Sequence, residues 1–269
     1  MTGQGEAALV LAKRAGLYRE ALPAPALASH LLCRWVHALP PGPAVPVAVV
    51  PDGCVDLLWV GGQLVVAGPD VTAAHPVLPP GDPVVAVRFR PGAALRWLGL
   101  PMSEIAGRQF DLSEFGRPWA RDLAGRIGEA RTTAERMARL EAGLARVAPG
   151  IALPAPEMAF VFRRLGRGPE EAGLAALRDR LAISERSLRR RCHEAFGYGP
   201  KTLDRILRFQ RFLRLAAAGE EATLSGLAAA AGYADQAHLT REVRRLSGLT
   251  PAAVVGQLAA GRLPDRAAA

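Results

Sequence analysis

Apolar residues recur at helical spacing on both sides of a short interruption within residues 223–251. The first run ends at Gly232, a residue suited to the left-handed backbone conformation that ends many helices. Asp235 follows, and its side chain can accept from the free backbone N–H groups that begin the next helix. The predicted buried positions are Leu224, Leu227, Ala228 and Ala231 before the turn and Leu239, Val243 and Leu246 after it. Two helices joined by so short a turn form a helix-turn-helix.

The same arrangement occurs once more, earlier in the chain. Ser184 takes the capping place, and the predicted buried stripe is Leu188, Cys192 and Ala195. The set Leu188, Arg190, Gly197 and Pro200 lies 51 residues before Leu239, Arg241, Gly248 and Pro251. Repetition at a fixed distance argues against coincidence. Between the two units, residues 200–218 have the apolar spacing of one long connecting helix.

The positive charge of the chain is concentrated in the half that carries the repeat. Residues 159–269 hold 19 Lys plus Arg against 11 Asp plus Glu, a net charge of +8, whereas residues 1–158 hold 15 against 14. A basic face with Gln, Thr and Arg side chains matches the phosphates and base edges of DNA. The alternative for any single unit is a solvated helix pair, which enzymes also contain.

Residues 177–254 resemble the DNA-binding domain of AraC/XylS-type bacterial transcription regulators. The second unit carries the signature in the run G-Y-A-D-Q-A-H-L-T-R at 232–241 and in G-L-T-P at 248–251. The first unit departs from the family at Arg178 and Ala182, where a small residue and a glycine are usual. The resemblance implies seven helices, with both recognition helices entering successive major grooves about 34 Å apart.

The resemblance also assigns individual residues to DNA. The base-reading positions fall on Arg186, Arg189, Arg190, Gln236, Thr240 and Arg241. Arg can donate two hydrogen bonds to a guanine and Gln can pair with adenine, so the residue types suit these roles. We assign the phosphate contacts to Arg191, Arg244 and Arg245.

Prolines and glycines punctuate short Val- and Leu-rich runs from Leu22 to Gly92, which is typical of a β-rich domain. The predicted strands are Val45–Val50, Cys54–Val60, Gln63–Ala67 and Val84–Arg90. His30–Ala38 fits a strand or a helix, residues 111–147 read mostly as helical, and Met1–Gly16 is expected to be loosely ordered or a short helix. The runs P-D-G-C-V-D-L-L-W at 51–59 and V-R-F-R-P-G-A-A at 87–94 resemble a small cupin-like sensor domain found in a subgroup of these regulators.

The predicted fold class is therefore α+β, and 269 residues with 50% hydrophobic content suffice for two domains. We predict a sensor and dimerisation domain over 1–147, a linker over 148–157, a DNA-binding domain over 158–258 and a tail over 259–269. Residues 132–147 space Met137, Leu140, Leu144 and Val147 as a seam, which fits packing on the domain's own core or a homodimer contact.

A small barrel can hold one small molecule. The candidate effector-pocket residues are Trp35, Asp56, Trp59, Arg88 and Arg90. Strand alternation places Arg88 and Arg90 on one face, where they would favour an anionic ligand if that face is interior. They could also be solvated on the outer face, or pair with Asp52 and Asp56, so no ligand class follows.

Catalytic and metal chemistry find little support in the sequence. Cys54 lies between Asp52 and Asp56, which disfavour a thiolate, and no histidine stands near it as a base. The five histidines form no metal-binding pattern, and the three cysteines lack the paired spacing of disulfide or zinc sites. We predict no cofactor, no metal and no enzymatic activity. The chain has neither an export signal nor a membrane span by pattern, which favours the cytoplasm.

The sequence thus predicts a transcription regulator that binds double-stranded promoter DNA. Its other expected partners are RNA polymerase, if it activates transcription, a small-molecule effector and a second copy of the chain. Two alternatives remain: a DNA-acting enzyme that uses the C-terminal module for targeting, and an architectural DNA-binding protein without a ligand.

Overall fold

The computed structural model describes residues 9–42, 46–76, 80–168, 174–219, 221 and 223–260. The N-terminal part contains a six-stranded sheet in the order β2-β3-β7-β5-β6-β8 and a parallel pair formed by β1 and β4. The strands are β1 (Val10–Leu11), β2 (Leu17–Ala21), β3 (Leu31–Ala38), β4 (Val47–Ala48), β5 (Asp56–Val60), β6 (Gln63–Ala67), β7 (Val84–Phe89) and β8 (Gln109–Asp111). All neighbours in the six-stranded sheet are antiparallel. Among the described residues, the edge strands β2 and β8 are not paired with each other.

The two faces of this sheet have different partners. Along β7, Val85, Val87 and Phe89 belong to the main core of the N-terminal part, whereas Val84 and Ala86 belong to a smaller cluster on the opposite face. Three helices pack on the first face: α1 (Ala94–Leu98), α2 (Pro118–Gly128) and α3 (Thr133–Val147). The second face, which also carries Arg88, points towards the C-terminal domain and forms one wall of a pocket.

The seam on α3 packs inside its own domain. Met137, Leu140 and Leu144 are buried in the same core as the first face of the sheet, and Val147 packs against that core. Of the two interpretations that the spacing allows, the structure thus uses these residues for intramolecular packing.

The structure settles one ambiguous segment of the N-terminal part and differs from the sequence predictions at others. His30–Ala38 resolves to a strand, β3, because alternate residues face the two sides of the sheet. The prediction of a loose or helical segment at Met1–Gly16 was wrong for Val10–Leu11, which pairs with β4, although residues 12–14 do form a short 3₁₀ helix. Residues 1–8, Val45 and residues 261–269 of the expected tail lie outside the described residues. Strands β2 and β8 were not predicted, because neither has a strong alternating pattern.

The C-terminal part is helical, as predicted, and the described residues form seven α-helices there. These are α4 (Pro156–Arg167), α5 (Leu174–Leu181), α6 (Glu185–Phe196), α7 (Pro200–Ala218), α8 (Leu224–Ala231), α9 (Gln236–Ser247) and α10 (Pro251–Ala259). They share one apolar core, in which Phe209 and Phe212 of α7 are fully buried. The 19-residue helix α7 is therefore the rigid connection between the two repeated units.

The two parts dock on one another through specific contacts. Gln210 on α7 donates from Nε2 to the carbonyl oxygen of Pro51 at 2.7 Å. The backbone N–H of Leu11 donates to Gln257 Oε1 on α10 at 2.8 Å, and Gln257 Nε2 donates back to the Leu9 carbonyl at 3.0 Å. Within the part of the chain that the structure describes, no helix is long and apolar enough to cross a membrane.

Candidate DNA-binding surface and interdomain pocket

The second helix-turn-helix unit is built by the local signals seen in the sequence. Gly232 ends α8 with a φ of +85°, and its N–H donates to carbonyls at the end of that helix. The Asp235 carboxylate accepts from the His238 N–H at 2.6 Å and so caps α9. Leu239, Val243 and Leu246 are fully buried, which turns the opposite face of α9 outward. The predicted cap, turn and stripe of this unit are all confirmed.

The first unit repeats this geometry with a turn that is one residue shorter. Ser184 Oγ accepts from the Ser187 N–H at 3.2 Å, and Leu188, Cys192 and Ala195 of α6 are buried. The place of Gly232 is taken by Ala182, whose N–H donates to the Asp179 carbonyl. Its φ is +50°, and among the described residues it is the one non-glycine residue with positive φ. The departure from the family pattern at Ala182 therefore places a side chain in a conformation that favours glycine.

Replacing Ala182 with glycine should raise the free energy of unfolding by about 0.5–1 kcal/mol, because the left-handed conformation costs an L-residue more than it costs glycine. Chemical denaturation of the two proteins measures the difference. The matched control is Ala230→Gly in the exposed face of α8, where the same change should lower stability by about 1 kcal/mol. Equal losses in the two variants would contradict the strain at Ala182.

The predicted DNA-contacting residues lie on the outward faces of α6 and α9. Arg186, Arg189 and Arg190 are exposed on α6, while Arg191 is half-buried. The exposed residues on α9 are Gln236, Arg241, Arg244 and Arg245, and Thr240 is half-buried. The two helices thus present the two predicted sets of polar side chains to solvent.

Two of these side chains already have partners within their own helix. Arg190 forms an ion pair with Glu194 at 2.7 Å, one turn along α6. Thr240 Oγ1 donates to the Gln236 carbonyl at 2.8 Å. A base contact by Arg190 requires the guanidinium to exchange this exposed carboxylate for DNA, which costs little because exposed ion pairs contribute only about 0–1 kcal/mol.

A pocket of about 210 Å³ lies between the second face of the sheet and the helical domain. Its sensor-side wall includes Asp52, Asp56, Asp70 and Arg88. Its other wall is formed by Gln210 and Leu213 of α7 and Leu258 of α10. Any occupant of the pocket would therefore contact both parts of the protein. The pocket is somewhat smaller than the range of about 300–1,000 Å³ that is usual for drug-sized ligands. It therefore suits a molecule smaller than a typical drug.

Arg88 is the centre of a largely buried ion-pair network in this pocket. It donates two hydrogen bonds to the two oxygens of Asp56, both at 2.9 Å, and lies 3.0 Å from Asp52 Oδ2. The second oxygen of Asp52 accepts from the Cys54 N–H at 2.9 Å. Burial raises the pKa of Asp56, and the Arg88 guanidinium opposes that shift. Among the alternatives for Arg88, the structure shows pairing with Asp52 and Asp56.

The other three predicted pocket residues, Trp35, Trp59 and Arg90, lie in different parts of the N-terminal domain. Trp35 is buried on the same face as Asp56 and Arg88, packed with Cys33, Val84 and Ala86. Trp59 lies on the other face, inside the main core. Arg90 follows the end of β7, is exposed, and donates to the Ala28 carbonyl at 2.5 Å. The structure thus brings Asp56 and Arg88 together in the pocket, keeps Trp35 nearby, and places Trp59 and Arg90 elsewhere.

Two further residues beside this pocket carried no signal in the sequence. Asp70 lines the pocket, and among the described residues no hydrogen bond or ion pair reaches its carboxylate. Burial, with added repulsion from Asp52 and Asp56, raises the pKa of Asp70 to about 6. The hydroxyl of Tyr198 is buried without a hydrogen-bond partner, and burial together with the charges of Asp52 and Asp70 raises its pKa. Asp70 lies outside the motifs named above, and Tyr198 lies between Gly197 and Pro200 at a position that the repeat did not single out.

A thiol and acidic groups, the kinds of side chain that nucleophilic and metal chemistry require, line the pocket. Burial, together with the charge of Asp52, raises the pKa of the Cys54 thiol well above its ordinary value, which disfavours the thiolate needed for nucleophilic attack. Within the described ranges, no group of three or more His, Cys, Asp or Glu side chains is arranged to hold a metal ion.

The fold and these surfaces define a class of protein: a β-rich domain docked on a double helix-turn-helix DNA-binding domain. Residues 177–257 match the family described as a helix-turn-helix domain, and residues 19–111 match a domain of unknown function, DUF6597. No curated protein matches the chain in sequence. Residues 177–257 of the chain thus form a helix-turn-helix domain.

Solved structures of ToxT from Vibrio cholerae are similar in fold. An apo ToxT variant shares 11% identity with a TM-score of 0.46, and the match covers 84% of this chain and 97% of that one. Wild-type ToxT bound to an unsaturated fatty acid shares 10% identity with a TM-score of 0.45, covering 80% of this chain and 91% of that one.

Proposed function

We propose that the chain is a transcription regulator of the AraC type, which reads two successive major grooves of promoter DNA with α6 and α9. A small molecule in the interdomain pocket controls its binding. The observation that carries the proposal is the repeated unit itself. Both recognition helices begin at a capped residue, end at a glycine with positive φ, and present arginines on the exposed face.

We assign base reading to Arg186, Arg189 and Arg190 on α6 and to Gln236, Thr240 and Arg241 on α9. Exposed Arg and Gln side chains can each make two hydrogen bonds to a purine edge in the major groove. Arg191, Arg244 and Arg245 then hold phosphates, which fixes the position of the helices on the duplex. Because these contacts displace counterions, affinity should fall steeply with salt.

Effector control is supported by the position of the pocket. Its walls come from the sensor sheet and from α7 and α10, so an occupant contacts the helix that joins the two DNA-binding units. A ligand that fits one arrangement of the two domains better than another would shift the population towards that arrangement. No covalent step is needed for such control, and we place the protein in the cytoplasm, where promoter DNA is accessible.

The proposed domain boundaries are a sensor domain to residue 147, a linker over 148–157, and the DNA-binding domain over 158–258. The end of α3 at Val147 supports the first boundary, while α4 begins at Pro156, two residues before the proposed start of the DNA-binding domain. Contact with RNA polymerase and formation of a homodimer remain parts of the proposal.

Arg190→Ala and Arg241→Ala should each weaken binding to the specific operator by about 1–3 kcal/mol and relax base preference at separate positions. The operator is first obtained by selecting bound sequences from a random duplex pool with the full-length protein, with and without a metabolite mixture. Gel-shift titrations of each variant then give affinities for the operator and for random DNA.

The control is Arg121→Ala, which removes one exposed positive charge from α2 in the sensor domain and should leave the operator affinity unchanged. Equal losses on operator and random DNA would show that Arg190 and Arg241 hold phosphates. Selection that enriches no sequence, with salt-sensitive binding to every duplex, would favour an architectural protein instead.

A further inference from the structure

The charges that line the interdomain pocket are not all matched. Asp52 and Asp56 are paired with the single buried guanidinium of Arg88. Lys13 and Arg14, which also line the pocket, are exposed at its mouth. Lys13 is paired with Glu20 at 2.7 Å, and Arg14 donates to the Leu258 carbonyl at 3.1 Å. Asp70 is left as the lining carboxylate that has no cation among the described residues.

A second observation points to a ligand that donates hydrogen bonds. The Tyr198 side chain is more than nine-tenths buried, and its hydroxyl has no partner. Tyr198 does not itself line the pocket, but burial, together with the charges of Asp52 and Asp70, which do line it, raises the pKa of its hydroxyl. A Cβ on the preceding Gly197 would lie 2.7 Å from Cγ of Pro69, the neighbour of Asp70 in sequence. A buried hydroxyl without a partner lacks the hydrogen bond that water would supply, and an ammonium group that pairs with Asp70 and reaches Tyr198 could donate to both.

The rest of the pocket is apolar. Val49 and Val50 line it from the sensor side, and Leu213 and Leu258 line it from the helical domain. A metal ion would have no apolar surface to contact these side chains. Among the described residues, the carboxylates are also not arranged to hold a metal ion. A small organic cation with an apolar body matches both the acidic end and the apolar walls.

We propose that the effector pocket binds a small organic cation, a primary amine with an apolar body, whose ammonium group pairs with Asp70 and donates to Tyr198. This inference rests on the proposed effector control and names the ligand class. Tyr198 also connects the pocket to the DNA-binding surface, because it directly follows Gly197, the residue that ends the first recognition helix. Binding of the amine thus fixes the sensor domain against the end of α6.

The affinity of such a ligand should depend on pH through Asp70. The charged groups around it are Asp52 and Asp56, both paired with Arg88, the phenol of Tyr198, and the exposed Lys13 and Arg14 at the mouth. With a pKa of about 6, Asp70 is mainly ionised at pH 7.5 and becomes protonated as the pH falls below 6. Amine affinity should therefore be constant above pH 7 and fall about tenfold per pH unit well below pH 6.

Isothermal titration calorimetry on the full-length protein tests the inference with three probes of matched shape: 3-phenylpropylamine, 3-phenylpropanol and 3-phenylpropionate. We expect the amine to bind at least about tenfold more tightly than the alcohol, since hydrogen bonds from a charged ammonium to a carboxylate are stronger than those from a neutral hydroxyl. The carboxylate should not bind. Butylamine and butanol serve as a smaller pair, in case the phenyl ring exceeds the cavity.

Asp70→Asn should bring the affinity of the amine down to that of the alcohol and remove the pH dependence. Because Asp70 has no partner to lose, the variant should fold with an unchanged or higher melting temperature. Tyr198→Phe should weaken the amine by about fivefold, the loss of one hydrogen bond. The control is Asp122→Asn, whose carboxylate is exposed on α2 and pairs with Arg126; it should bind the amine as the parent protein does.

Equal binding of amine and alcohol, binding of the carboxylate, or no binding of either amine would overturn the assignment of a cation. Failure of the amine to bind must be distinguished from failure of the protein to bind DNA. A gel shift on the selected operator, without any probe present, measures DNA binding by itself. If the protein binds the operator but not the amine, the DNA-binding function stands and the assignment of a cationic ligand is wrong. If the amine binds but does not change the affinity for the operator, the binding site stands and its role in control is wrong.

Discussion

Replacing Arg88 with methionine should lower the free energy of unfolding by about 3–5 kcal/mol at pH 7.5, because it leaves the largely buried carboxylates of Asp56 and Asp52, 14% and 27% exposed, without a cation. In the parent protein, Arg88 donates to both oxygens of Asp56 and pairs with Asp52. Methionine can occupy a similar volume, so the loss comes from the charges rather than from a cavity. Chemical denaturation of the two proteins measures it.

The destabilisation should become smaller as the pH falls. Burial already raises the folded-state pKa of Asp56, and loss of the Arg88 guanidinium, which opposes that shift, raises it further, so the folded protein binds this proton more tightly than the unfolded chain does. A carboxyl group with a raised folded-state pKa contributes stability at low pH that is lost as the pH increases. The difference between the variant and the parent should therefore be greatest at neutral pH and smallest near the acid end of the folded range.

Two further variants separate the network from general effects of removing an arginine. Arg126→Met breaks an exposed pair with Asp122, at 2.9 Å with side chains 52% and 61% exposed, and should cost no more than about 1 kcal/mol. The double variant Arg88→Met with Asp56→Asn removes one of the orphaned charges and should recover part of the loss. A cost for Arg88→Met as small as that for Arg126→Met would show that the network contributes little to stability.

The helix-turn-helix units could be predicted from sequence because their determinants are local. Asp235 and Ser184 cap helices within their own neighbourhood, and Gly232 ends a helix with the conformation that glycine adopts most readily. Each signal lies within a few residues of the structure it specifies. The shortened turn at Ala182 was visible only as a departure from the family pattern, and the structure shows its consequence as a positive φ.

The pocket could be predicted only in part, because its walls come from distant segments. Strand alternation placed Arg88 and Arg90 together on one face, but β7 ends at Phe89, so Arg88 lies on the sheet and Arg90 does not. Pairing of Arg88 with Asp52 and Asp56 was among the alternatives. Nothing in the sequence brings Leu213 or Leu258 to that face, since their position depends on how the helical domain docks. Trp59 was assigned to the pocket although it faces the main core, because alternation gives two faces without saying which one is covered by helices.

Two glycines that end the recognition helices allow a test of how tightly the two domains are docked. Gly197 ends α6 with a φ of +85°, and a Cβ at this position would lie 2.7 Å from Pro69 Cγ and 3.0 Å from the Met102 carbonyl oxygen. Gly248 ends α9 in the same way with a φ of +74°, but its Cβ would meet only Leu9 Cδ2, at 3.4 Å. Both glycine N–H groups donate to the carbonyl four residues earlier. The pair therefore differs mainly in what lies across the domain interface.

Gly248→Ala should cost about 1 kcal/mol, the backbone strain alone, whereas Gly197→Ala should cost about 2–4 kcal/mol, because a clash with the sensor domain adds to the same strain. The clash can be relieved only by moving the segment around Pro69 and Met102 away from the end of α6, since the opposing atoms belong to a proline ring and a backbone carbonyl. Hydrogen exchange should therefore show faster opening at residues 102–106 in Gly197→Ala and not in Gly248→Ala. Because Tyr198 moves with Gly197, operator binding by Gly197→Ala should also respond less to a pocket ligand than binding by Gly248→Ala does. Equal stability losses and equal exchange in the two variants would mean that the sensor domain does not hold the first recognition helix in solution.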